Sequence, residues 1–85
     1  METLTLNDGT VLINSHAIES NNSLFVYIKN GESLRAVFNK LIEPTKTEKI
    51  TANRYGTEMV YEGYQKLVDV RDEENGMITA VLKKN

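Results

Sequence analysis

Two turn signals, Asp8-Gly9 and Asn75-Gly76, stand near the ends of this chain, each between segments that alternate apolar and polar residues. Asp-Gly and Asn-Gly supply the positive φ angles that a tight hairpin turn demands, so both ends are committed to antiparallel pairing. At the first turn, a two-residue Asp8-Gly9 loop places Leu6 opposite Val11 and Leu4 opposite Ile13, with all four on one face. At the second, two registers compete. A two-residue Asn75-Gly76 loop pairs Asp69 with Leu82 and Val68 with Lys83. A three-residue loop with Gly76 in the left-handed region pairs Val68 with Leu82, Val70 with Ala80 and Asp72 with Ile78. The second register gathers Val68, Val70, Ile78, Ala80 and Leu82 on one face. A slip of one residue would turn that face to water, so this register is the expectation.

Between the two hairpins the pattern changes once. The strand that begins at Val11 runs on toward Ile18 and ends at Asn21-Asn22. Leu24 to Ile28 is a continuous β-branched and aromatic run, as in a central strand covered on both faces. After Asn30-Gly31, the residues Leu34, Val37, Phe38, Leu41 and Ile42 recur at helical spacing and form one apolar stripe. Pro44, the only proline, stops that helix. Beyond it, Glu48 to Ala52 and Met59 to Tyr61 read as strands around a four-residue loop, Asn53-Arg54-Tyr55-Gly56, with Ile50 opposite Met59. Gly63 marks a bulge or bend. The expected class is therefore α+β: a mostly antiparallel sheet built from hairpins, with one amphipathic helix at about residues 32–43 packed on it. No linker or repeat divides the chain, so residues 1–85 are expected to form a single domain.

Composition narrows the function classes. Ten basic and twelve acidic residues leave a formal charge of −2, and no basic run exceeds Lys83-Lys84. Nucleic-acid binding usually rests on a basic patch, so no nucleic-acid partner is expected. With no cysteine, disulfides and thiolate metal sites are excluded. No apolar run approaches the roughly 20 residues that span a bilayer, and the start of the chain does not read as a signal peptide. The expected location is the cytoplasm, with no membrane partner.

No catalytic constellation is legible. His16 is the only histidine, and its neighbour Ser15 would point to the opposite face of a strand, so it reads as an ordinary strand or loop residue. The acids between Asp69 and Glu74 lack the spacing of a calcium loop, and the glycines lack that of a phosphate-binding loop. No cofactor or metal is expected. Arg54-Tyr55 at a loop tip offers side chains that interfaces favour, and Tyr61 and Tyr64 flank the Gly63 bend. These four residues are the expected partner-binding set. Of the two flanking tyrosines, one is expected in the core and one on the surface.

Three stretches resemble small phage and prophage proteins of Gram-positive bacteria: Leu4 to Leu12, Tyr61 to Leu67, and Arg71 to Leu82. The resemblance spans most of the chain, but none of the stretches is a specific functional motif, and no residue's role is carried over. It implies a viral origin and a structural or accessory role, in the host cytoplasm or the phage particle. The leading expectation is a noncatalytic protein-binding or assembly module, whose partner is another protein or a second copy. The alternative is an inhibitor of a host defence protein or nuclease, with the Asp69–Glu74 acids as its contact. A small enzyme subunit ranks last.

Overall fold

The computed structural model describes residues 2–29, 47–72 and 77–84. Among them are eight strands: β1 (Glu2–Thr5), β2 (Val11–Ile13), β3 (Ser15–Ser20), β4 (Ser23–Lys29), β5 (Lys49–Arg54), β6 (Thr57–Glu62), β7 (Lys66–Asp72) and β8 (Met77–Lys83). They form two four-stranded antiparallel sheets, ordered β2-β1-β5-β6 and β3-β4-β8-β7. Successive hairpins alternate between the sheets. β1–β2 joins β5–β6 through the β1–β5 pairing, and β3–β4 joins β7–β8 through β4–β8.

The expected α+β class is thereby corrected. Over the core, the inner faces of the two sheets pack on each other, which is the place the sequence reading gave to a helix. Leu4, Leu12 and Ile50 from the first sheet share one core with Leu24, Val26, Ile28, Ile78, Ala80 and Leu82 from the second. Two sheets packed face to face are a self-sufficient two-layer core. The helix expected at residues 32–43, with Phe38 in its stripe and Pro44 at its end, lies outside the described residues. No helix among the described residues is long and apolar enough to cross a membrane.

Turn chemistry sets the registers. The first loop holds three residues, Asn7 to Gly9. Gly9 N–H donates to the Leu6 carbonyl at 3.0 Å, and Leu6 N–H donates to that of Thr10 at 2.8 Å. Gly9 has φ +88°, as its turn requires. The extra residue shifts the expected pairing by one: Leu4 faces Leu12 and Thr5 faces Val11. Leu12 is therefore buried, while Val11 and Ile13 point to solvent. At Asn14 (φ +52°) the chain leaves the first sheet and enters the second, so the single expected strand from Val11 to Ile18 is two strands in different sheets.

The β3–β4 loop is Asn21-Asn22, with both φ angles positive. The β5–β6 loop is also two residues, Tyr55 (φ +51°) and Gly56 (φ +87°), rather than the expected four. Ile50 consequently faces Tyr61, and Met59 faces Ala52. In the last hairpin Val70 faces Ala80 and Asp72 faces Ile78, as expected. A register shift between Leu67 and Asp69 then puts Leu67 opposite Leu82 and leaves Val68 exposed. The loop of that hairpin, including Gly76, lies outside the described residues.

Candidate functional site

The β5–β6 hairpin outruns the core that supports it. Along the inner side of β5, Ile50 is fully buried, Ala52 half-buried and Arg54 exposed. Along β6, Tyr61 is buried, Met59 is 55% exposed and Thr57 exposed. Among the described residues, the inner face of the first sheet is thus covered at one end of the hairpin and left open at the other. Under the open end lies a cleft of about 730 Å³. That volume is in the range of ordinary ligand pockets.

One wall is β3. Its residues Ser15, His16, Ala17, Ile18 and Glu19 all line the cleft, without alternation. Successive strand residues point to opposite faces, so an unbroken run in one wall means that the strand presents its edge. β3 is indeed the outer strand of its sheet. The opposite wall is the inner face of the hairpin, with Ala52 and Arg54 from β5 and Thr57, Met59 and Tyr61 from β6. Tyr55 stands at the tip, 80% exposed, and Glu2 and Thr3 of β1 close one end.

The charges at that end are paired. Arg54 Nε meets Glu2 Oε1, and His16 Nδ1 lies 3.4 Å from Glu2 Oε2. The His16 ring also stacks on Tyr27, its cross-strand partner, with centroids 4.8 Å apart. Ser15 is fully buried, and its hydroxyl donates to the Ile13 carbonyl at 2.9 Å. It therefore gives His16 no nucleophile. Among the described residues, no His, Asp and Glu side chains gather into a group that could hold a metal ion.

At the other end, the buried Tyr64 hydroxyl donates to Glu19 Oε2. That bond, with burial and the Glu19 charge, pushes the Tyr64 phenol up to about 12. The Tyr61 phenol is also raised, by burial first and by Glu19 second, with Arg54 opposing. Both tyrosines are buried, which corrects the expectation of one in the core and one on the surface. Gly63 (φ +85°) lets the chain turn from the end of β6 into the space between the sheets, taking Tyr64 with it.

Of the residues expected to bind a partner, Arg54, Tyr55 and Tyr61 line this one cleft. Tyr64 lies behind it and reaches it through Glu19. The reading of the sequence missed Glu2, Ile18, Glu19 and Met59, and it gave His16 no role. Met59 was placed opposite Ile50 by the longer loop, and the others join the site only through pairing across the fold. Asp69, from the acidic stretch, lies away from the cleft and pairs with Arg71 Nε at 3.0 Å. No protein-family model, curated protein or solved structure matches the chain.

Proposed function

We propose that this chain is a noncatalytic protein-binding module whose contact surface is the β5–β6 tip and the cleft beneath it. The observation that carries the reading is Tyr55. A tyrosine occupies the first turn position with φ +51° and 80% of its surface exposed. That backbone region costs a non-glycine residue about 1–2 kcal/mol, and among the described residues neither burial nor a side-chain hydrogen bond of Tyr55 offsets the cost. Strain of this kind, carried on an exposed aromatic, fits a residue kept for what it touches. Met59 and Ile18, both about half exposed, extend the apolar surface into the cleft beside the paired Glu2 and Arg54. An apolar centre with charged neighbours is the usual make-up of a protein contact. The resemblance to phage proteins suggests the setting, either the host cytoplasm or the phage particle.

The test is affinity capture from cells that carry the gene, comparing wild type with an Arg54→Ala/Tyr55→Ala double variant by quantitative mass spectrometry. The variant should keep its fold, because an exposed ion pair such as Arg54–Glu2 is worth only about 0–1 kcal/mol. A specific partner that is lost in a variant with an unchanged circular dichroism spectrum is the expected result. Equal recovery by both proteins would remove the tip as the contact. A measured turnover on any substrate would overturn the noncatalytic reading.

A further inference from the structure

We propose that the cleft binds an extended segment of another protein by strand addition to the free edge of β3, and that Glu19 selects a Lys or Arg in that segment. The inference rests on the binding-module reading and specifies the partner's chemistry.

The backbone of β3 supplies the first argument. In a two-residue hairpin the pair that flanks the loop, here Ser20 and Ser23, exchanges both of its hydrogen bonds. The alternation of an antiparallel ladder then ties Ile18 and His16 to β4 and turns the N–H and C=O of Glu19 and Ala17 toward the free edge. No strand pairs with that edge among the described residues. Unpaired ladder groups on an open edge are a template for another strand. Most such edges face open water. This one lies along a cleft beneath the inner face of a hairpin, which supplies a second surface for the alternate side chains of an incoming strand. Residues on the inward side of that strand would meet Met59 and Tyr61, so apolar side chains fit there.

Charge supplies the second argument. Glu2 is taken up by Arg54 and His16. Glu19 accepts a bond from the neutral Tyr64 phenol, and no cation pairs with it among the described residues. Among the described residues, Glu19 is thus a cleft carboxylate without a directly paired cation, on the strand that presents the open edge, and the nearby Lys84 lies over the Tyr64 ring rather than on Glu19. A Lys or Arg beside the apolar positions complements it, and an acidic residue there is repelled.

The probes are synthetic six-residue peptides, the length of β3. They alternate Val and Thr, with Lys, Arg, Glu or Ser at one inward position. Binding is read by fluorescence anisotropy, and the β3 amides by hydrogen exchange in solution NMR. The Lys and Arg peptides should bind at least about tenfold tighter than the Glu and Ser peptides, a difference of about 1.4 kcal/mol. Glu19→Gln should abolish that preference. Exchange at Ala17 and Glu19 should slow on binding, while His16 and Ile18, already tied to β4, stay unchanged. Ala17→Pro removes one free N–H and spares the β4 ladder, so it should abolish binding. If that variant does not fold, N-methylation of alternate peptide amides tests the same bonds from the other side.

Binding without slowed exchange at Ala17 and Glu19 overturns strand addition, as does the absence of any bound peptide. Protection of those amides without peptide, together with a doubled mass in light scattering, overturns the occupant in favour of a second copy. In each of these cases a partner captured through Arg54 and Tyr55 leaves the binding-module reading standing. Loss of that capture as well removes both.

Discussion

The Tyr64 hydroxyl, buried between the two sheets, donates to the Glu19 carboxylate at the margin of the cleft. One bond thus joins the core to the candidate contact surface, and its two ends lie 45 residues apart in the chain. Tyr64 follows the Gly63 bend out of β6, and Glu19 is near the end of β3. Tyr64→Phe removes the donor and keeps the ring. The expected cost is about 1.5–3 kcal/mol, as for a hydrogen bond with one charged partner, read from urea unfolding. An unchanged midpoint would mean that the bond contributes nothing.

The same bond predicts an alkaline limb of stability. The folded Tyr64 phenol is raised from 10.0 to about 12, and Tyr61 is raised as well. The folded state therefore holds these protons more tightly than the unfolded chain. Stability from this source is complete below pH 10 and falls as the pH rises from 10 toward 12. Unfolding midpoints at about pH 9 and about pH 11 should differ less in Tyr64→Phe than in wild type. Absorbance titration should lose its last phenolate step in that variant.

Register gives the next expected outcome. Leu12 is buried opposite Leu4, and Val11 is about half exposed. Leu12→Ala should cost about 2–5 kcal/mol, as for a large apolar side chain removed from a core. Val11→Ala should cost no more than about 1 kcal/mol, within the range of exposed strand preference. Equal costs, or the reverse order, would restore the register in which Val11 faces the core.

Much of the fold was legible in the sequence because turn chemistry is local. Gly9 marks a place where a tight turn requires positive φ, Asn21-Asn22 marks a strand end and Gly56 a loop, and each lies at an observed turn with positive φ. Loop length is less local. Asp8-Gly9 fits a two-residue loop or the last two positions of a three-residue loop, and one residue decides which face is buried. The sheet exchange at Asn14 was hidden because the segment from Val11 to Ile18 reads as one strand straight through it. The site shows the same division. Arg54 and Tyr55 follow from the turn, whereas Glu2, Glu19 and Ile18 reach the cleft only when β3 crosses beside β1 and β5. No local pattern encodes that crossing.

Asn14 tests the sheet exchange directly. Its φ of +52° lies between the last residue of β2 and the first of β3. Asparagine tolerates this region and glycine adopts it freely, but a β-branched residue does not. Asn14→Val should cost about 1–2 kcal/mol, while Asn14→Gly should stay close to wild type. If Val were tolerated as well as Gly, the corner would have to relax into a continuous strand.

Tyr55 carries the sharpest expectation, because stability and binding should move in opposite directions. The β5–β6 turn has positive φ at both central residues, the geometry in which Asn-Gly is most favoured. Tyr55→Asn converts Tyr-Gly to that sequence and removes a side chain that is 80% exposed, so little packing is lost. The variant should gain about 0.5–1 kcal/mol in urea unfolding through relief of the left-handed strain. If the tip is a contact surface, the same variant should lose its partner in affinity capture although it is the more stable protein. A destabilised variant would mean that the Tyr55 ring packs usefully on the hairpin. A stabilised variant with full partner recovery would mean that the strain serves no contact, and the argument for the tip would fall with it.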